Sequence, residues 1–299
     1  LQTQHWTSDL HWNWLYVYRA LLAEKNASYP EWMQTAAWKR KELQTAFGSW
    51  TTLRHDPDAA LTAAQATEAA APAEETTPGS PPWGYVEPQP EVYARLAALT
   101  RLLIDGLESR LMLSAADREL LLELETWLMF LQDAARRELT AQALTDQEAQ
   151  RLGEYGVLVE RLTLAAYDAG SLAATAEQTL SDAYVEAAAV RVATGSAVDG
   201  GAVDGGAADG SAADGGGAAV GESEPVPVQL IAATGPVDEL YVVVERNRKL
   251  FLARGGAYTY YEFTWPAADP LADAQWQALL AAGRAPDRPA WVQAFVSAP

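Results

Sequence analysis

The stretch from Glu91 to Leu180 carries the strongest periodicity in the chain and limits the fold more than any other feature. Val92, Leu96, Leu99, Leu103, Leu107 and Leu111 recur at helical spacing and form one apolar stripe. Ser114-x-x-Asp117 supplies an N-cap for a helix running through Leu120 to Leu131. Thr145-x-x-Glu148 is a full capping box, followed by Leu152, Tyr155, Val159, Leu162 and Ala166 on one face, and a further helix is expected near Ser171 to Ala189. Helices joined by such short connections bury their stripes against one another, which predicts an antiparallel bundle. The run Leu120 to Leu131 is interrupted by Glu123 and Glu125, so no stretch reaches the ~18–20 apolar residues of a transmembrane segment.

Low-complexity tracts flank this block. Pro57 to Pro82 collapses to Ala, Thr, Glu and Pro, and Gly195 to Gly221 repeats Ala-Val/Ala-Asp-Gly-Gly/Ser with a period of five. Neither buries enough apolar surface to offset ordering entropy, so both are expected to be linkers or loops. The regular Asp spacing suggests calcium, but the repeat is shorter than the calcium-binding nonapeptide and lacks its Gly pattern.

In the first 56 residues, positions 14, 15, 18, 21 and 22 mark one helix ending before Tyr29-Pro30, and a second is expected from about Glu31 to Phe47 with Gly48 as its stop. Six of the 11 Trp lie here. After the glycine tract, Val226 to Ala232, Leu240 to Glu245, Leu250 to Ala253 and Ala257 to Phe263 read as strands of one small antiparallel sheet, with turns at Asn247 and Gly255-Gly256. Asp273 to Ala282 reads as a helix stopped by Gly283. The fold class is therefore mainly α, an antiparallel helical bundle with a small antiparallel β-sheet near the C-terminus. The expected units are 1–56 (aromatic-rich, helical), 57–82 (linker or loop), 83–194 (bundle), 195–224 (acidic loop) and 225–299 (sheet and C-terminal helix).

Charge and cysteine usage bear on partners and location. The 299 residues hold 21 basic and 40 acidic groups, a formal net charge of −19. A polyanion is repelled by nucleic-acid phosphate and by anionic lipid, so neither nucleic acid nor a membrane reached through a basic face is an expected partner. Residues 1–56 carry 6 basic and 5 acidic groups, 57–224 carry 9 and 28, and 225–299 carry 6 and 7. The near-neutral, aromatic ends are where partners are expected. With no Cys, thiolate metal sites, iron–sulfur clusters and Cys nucleophiles are excluded. A cysteine-free chain suits an oxidising exterior, and Asn26-Ala27-Ser28 fits the glycosylation sequon, so an extracellular or cell-envelope location is expected. The chain starts at Leu1 within aromatic sequence and reads as a processed or excised piece.

Few residues offer chemistry. Arg54-His55-Asp56 sets an imidazole beside a carboxylate, making His55 with Asp56 the candidate general base or divalent-metal site. The structural alternative has Arg54 pairing a carboxylate, His55 donating to a carbonyl and Trp50 packed beneath. His5 and His11, with Asp9, complete a metal site only if they fold beside His55; a spacing of six does not put two ligands on one helical face. Glu87 and Glu262 are a candidate carboxylate pair of the glycosidase type, which requires a separation of ~5–9.5 Å. Trp12, Trp14, Trp50, Arg54, Tyr260 and Tyr261 are structural or interface candidates. No phosphate-binding Gly loop and no Gly-x-Ser-x-Gly elbow occurs. No cofactor is expected beyond a possible divalent metal.

Three motifs carry a resemblance: Gly48-Ser49-Trp50-x-x-Leu53-Arg54-His55-Asp56, then Gly84-Tyr85-Val86-Glu87-Pro88-x-Pro90-x-x-Tyr93-x-Arg95-Leu96, then Gly256-Ala257-Tyr258-x-Tyr260-Tyr261-Glu262-Phe263. With Trp276, Pro286 and Pro289-x-Trp291 they span nearly the whole chain, which resembles the uncharacterised bacterial and archaeal domain of unknown function 3160. The resemblance implies an exported or lipid-anchored envelope protein of which this chain is similar to the C-terminal part, with an N-terminal portion elsewhere. The sequence departs from the family where Pro57 and an Ala/Thr tract follow Asp56, and where Val190-Arg191-Val192 lacks a histidine.

The expectation is a non-catalytic structural or interaction component of a bacterial envelope or extracellular assembly. It would associate with other subunits, further copies of itself or its own N-terminal portion. One alternative is an extracellular hydrolase or divalent-metal protein using His55, Asp56, Glu87 and Glu262. Another is carbohydrate binding through exposed Trp and Tyr.

Overall fold

The apolar stripe predicted from Val92 onward forms α3, Pro90–Glu108, and the Ser114 cap opens α4, Ala115–Leu139. A computed structural model describes residues 3–54, 84–162, 164–165, 228–246 and 249–296. Within it α3 and α4 are antiparallel, as the ion pairs Arg101–Glu125 and Glu108–Arg118 show by running in opposite senses along the two helices. Pro90 sits in the first turn of α3, where its missing N–H costs nothing. Ser114 Oγ accepts from Asp117 N at 3.1 Å. The box at Thr145 is reciprocal, with Glu148 N donating to Thr145 Oγ1 at 3.3 Å and Thr145 N to Glu148 Oε2 at 2.8 Å; it opens α5, Asp146–Gly153.

The stripe departs from expectation at its ends. Leu111 lies beyond α3, is 95 % exposed and adopts φ 57°, where Met112 N reaches back to Leu107 O at 3.0 Å. Ala141 repeats this left-handed stop after α4 with φ 53° and Gln142 N on Arg137 O at 2.9 Å. The sequence expectation of one helical face from Leu152 to Ala166 also changes. The helix is interrupted at Glu154 and helical again over 155–162, so Leu158 is buried while Tyr155 and Val159 are exposed. The expected helix near Ser171 to Ala189 and both low-complexity tracts lie outside the described residues.

Before α3, Asp9 caps α1, Leu10–Leu21, and a 3-10 turn at Glu31–Gln34 leads into α2, Ala36–Arg54. Gly48 does not stop α2. The helix runs through it, and a Cβ there would lie 2.8 Å from Tyr258 Cβ and 3.0 Å from Thr259 O, so the glycine is what lets this segment approach so closely. The core is correspondingly split. Tyr18, Leu21 and Ala46 cluster with Trp14, Trp50 and Val92, joining α1, α2 and α3. Val86, Leu131, Ala134, Ala135 and Leu144 cluster with Tyr93, Phe130 and Leu152, joining the entry of α3 to α4 and α5.

The β region is two two-stranded antiparallel ladders rather than one sheet. β1, Val228–Ala233, pairs with β4, Tyr261–Pro266, and β2, Asp238–Arg246, pairs with β3, Lys249–Ala257. The second pair is nested inside the first, giving a long ribbon broken where residues 234–237 face 258–260. Gly255 and Gly256 are within β3, not a turn: a Cβ on Gly256 would meet Val237 Cγ1 at 2.7 Å. At the break Gly235 N donates to Thr259 Oγ1 at 2.6 Å, a side chain taking the place of a ladder carbonyl. Two short helices, α6, Asp273–Ala281, and α7, Ala290–Gln293, pack beside the ribbon, and α6 ends at Gly283 with φ 62°.

Candidate functional site

Charged groups buried together are the first place to look for chemistry, because burial costs each of them hydration unless partners replace it. Trp38 on α2 is buried, and a residue one helical turn later shares its face; that residue is Glu42. Its carboxylate accepts from Trp38 Nε1 at 3.1 Å, from Gln89 Nε2 at 2.6 Å and from Lys25 Nζ at 3.2 Å. The Lys25 and Glu42 side chains are 2 % and 3 % exposed. Lys25 also donates to the carbonyls of Leu21 at 2.7 Å and Ala23 at 2.9 Å, closing the C-terminal end of α1. Burial pushes Glu42 above the ordinary carboxylate range, opposed by the Lys25 charge and by the hydrogen bonds from Lys25 and Gln89.

Glu87 belongs to the same network. It accepts from Lys41 Nζ at 2.7 Å and, through Oε1, from Gln89 Nε2 at 2.9 Å, so one amide nitrogen bridges the two carboxylates. Lys41 lies over the Trp38 ring at 4.3 Å, and Trp32 packs between Trp38 and Tyr85. Two ammonium groups balance two carboxylates, each held by fixed donors. This is the chemistry of a structural clasp between α1, α2 and the entry of α3.

Glu262, the other carboxylate proposed from sequence, shares no partner with Glu87. It is exposed on β4 and accepts from Tyr260 Oη at 2.8 Å. His55 and Asp56 lie outside the described residues. His11 meets Trp50 edge-on at 6.0 Å and His5 tilts against Trp12 at 6.0 Å, while Asp9 accepts from Trp12 N at 3.0 Å. Among the described residues no cluster of three or more His, Cys, Asp or Glu forms.

The remaining candidates are packing elements. Trp12 meets Trp6, which stacks on Tyr16 at 5.5 Å; Arg95 covers the Tyr16 ring at 3.7 Å and donates to Tyr16 O at 2.6 Å. Trp14 Nε1 donates to Ser49 Oγ at 3.1 Å, Trp50 meets Tyr18 edge-on, and Arg54 lies over Trp50 at 5.9 Å. Burial pushes the Tyr18 hydroxyl up to about 12 and raises Tyr85 and Tyr93 as well.

The third motif forms the broken stretch of ribbon and docks on α2. Gln44 Nε2 donates to Tyr258 O, Phe47 stacks on Tyr260 at 5.2 Å, and both rings meet Trp291 of α7 at 6.1 Å. Tyr261 meets Trp276 at 5.0 Å, and Trp276 Nε1 donates to Thr234 O at 2.7 Å. Asp238 is gripped by both Arg288 nitrogens at 2.6 and 2.8 Å. Lys25, Lys41, Glu42, Gln44, Gln89, Asp238 and Arg288 were not found from sequence. For Glu42 the signal was its spacing from Trp38; the others form contacts over long sequence separations.

A separate groove of about 460 Å³ between α4 and the α5 region is lined by Glu123, Trp127, Gln147, Arg151 and Arg161, among others. Trp127 is buried there, with the Arg151 guanidinium over its ring at 4.8 Å, so its face is already covered. No helix among the described residues is long and apolar enough to cross a membrane.

The family model DUF3160, protein of unknown function, matches residues 1–292. No curated protein and no solved structure matches the chain.

Proposed function

Since the chain belongs to the DUF3160 family, for which no function is known, we propose from its own geometry that it is a non-catalytic interaction component of an extracellular or envelope assembly. The observation that carries this reading is the outer face of the β2–β3 ribbon. Val243 and Leu252 are cross-strand partners and Leu250 lies on the same face; they are 56 %, 60 % and 73 % exposed. Neighbouring apolar side chains exposed on a two-stranded ribbon favour coverage by a partner. The motif residues support the same reading, since Ser49 takes Trp14, Glu87 takes Lys41, Arg95 reaches Tyr16 O and Tyr258 O takes Gln44, which ties α1, α2, α3 and the ribbon together.

The partner is another subunit, a second copy or the N-terminal portion implied by the resemblance. Sedimentation of the full chain over a concentration series, with crosslinking in the envelope fraction, tests this. Association that Leu252→Lys abolishes is the expected result. A chain monomeric throughout, with no crosslink at the ribbon, refutes it.

A further inference from the structure

We infer that Asn26 is an acceptor for N-linked glycan, an assignment that rests on the exported location proposed above. The sequon Asn26-Ala27-Ser28 occupies an exposed turn between α1 and the 3-10 turn, closed by Tyr29 N on Asn26 O at 3.0 Å. Within it Asn26 Oδ1 accepts twice, from Ser28 N at 2.9 Å and from Ser28 Oγ at 2.6 Å. Both bonds pin the carboxamide oxygen to Ser28 and hold the acceptor side chain in the exposed turn.

Structural roles for these atoms are confined to the turn itself. The side chains on either side differ in kind: Lys25 is buried and fixed to α1 and α2, whereas Glu24, Asn26, Ala27 and Ser28 are exposed. Lys25 thus anchors the loop while the acceptor faces solvent. Glu24, two residues before the acceptor, pairs with Lys39 at 3.6 Å and leaves the acceptor side chain uncovered. Surface exposure in a secreted chain is the context in which this sequon has its chemical meaning.

The reaction is a substitution at an anomeric carbon. A lipid-pyrophosphate-linked saccharide is the glycosyl donor. Asn26 Nδ2 forms the new C–N bond, the bond from the anomeric carbon to the pyrophosphate oxygen breaks, polyprenyl pyrophosphate leaves with the electron pair, and one amide proton is lost to a base of the transferase. No redox change occurs.

The test is mass spectrometry of the Asn26 peptide from the full chain recovered from envelope and cytosolic fractions of its native cell. The expected result is a hexose- or hexosamine-bearing peptide in the envelope fraction. Asn26→Gln and Ser28→Ala lower occupancy at least about tenfold and Ser28→Thr retains it, because only the hydroxyl is needed to complete the sequon. Ser28→Ala keeps the backbone bond to Oδ1, and circular dichroism confirms that each variant folds. Unmodified chain in the envelope overturns the acceptor assignment alone, and chain found unmodified in the cytosol only overturns it together with the location. Glycan persisting in Ser28→Ala also overturns it.

Discussion

Removing either partner of the Lys25–Glu42 pair should destabilise the fold much more than removing both. With side chains 2 % and 3 % exposed, neither ion regains water when the other is deleted. Lys25→Met leaves the Glu42 carboxylate held only by Trp38 and Gln89, and such an uncompensated buried charge costs about 3–5 kcal/mol. Glu42→Gln keeps an acceptor oxygen for those two donors but strands the Lys25 ammonium on two carbonyls, at about 3 kcal/mol. In the double variant no unpaired charge is buried, since the Lys41–Glu87 pair stays intact, so its stability should fall within about 1 kcal/mol of the parent and the coupling energy should exceed about 2 kcal/mol.

Urea unfolding followed by tryptophan fluorescence measures all four corners, and Trp38 reports from inside the network. A pH series adds a second readout. Burial already holds Glu42 above its ordinary range, and loss of Lys25 raises it further. With a folded pKa above the unfolded one, ionised Glu42 costs stability in full above the folded pKa, and that cost shrinks as pH falls from there and is gone below the unfolded value. The Lys25→Met deficit should shrink as pH falls below that raised pKa toward the ordinary carboxylate range, while the Glu42→Gln deficit should not. Additive single effects, or a Lys25→Met deficit indifferent to pH, would refute the claim that a buried ion pair clasps these helices.

Gly48→Ala should cost about 1–3 kcal/mol in thermal unfolding, because its Cβ meets the Tyr258 Cβ at 2.8 Å and neither side is a flexible chain end. Leu111→Gly should stabilise by about 0.5–1 kcal/mol in urea, since it relieves a left-handed residue that is too exposed to lose packing. Asp238→Asn should cost about 1–2 kcal/mol by weakening the Arg288 fork, measured by the same melts. His55→Ala should leave the metal content of chelator-free protein unchanged; metal lost with the imidazole would instead favour the metal-protein reading.

Periodicity made α3 and α4 readable because their apolar positions repeat locally, and the Ser114 and Thr145 caps were readable because four consecutive residues contain the whole interaction. Contacts between distant segments were not. Gly48 looks like a stop in one dimension and is a docking point in three, since the atoms it accommodates are those of Tyr258 and Thr259. Lys25 and Glu42 look like solvated charges because most charged residues are, and only Gln89, 47 residues away from Glu42, completes the reason for burying them. The three motifs marked the family, but which of their residues share an environment was not legible. Glu87 joins Lys41, whereas Glu262 joins Tyr260.

The break in the ribbon also makes chain length a constraint. Between the paired residues Ala233–Tyr261 and Asp238–Ala257, one strand inserts four residues and the other three. That single surplus residue changes which parity faces inward: Ile231 and Ala233 on β1, but Val242 and Val244 on β2. Deleting one residue from 234–237 would set three residues opposite three, and regular alternation would then keep Asp238, Val242 and Val244 on the inner side while removing the break itself. The surplus residue thus sets the break, where Gly235 N meets Thr259 Oγ1 and Trp276 Nε1 meets Thr234 O, and loop variants that keep the count at four should preserve those contacts.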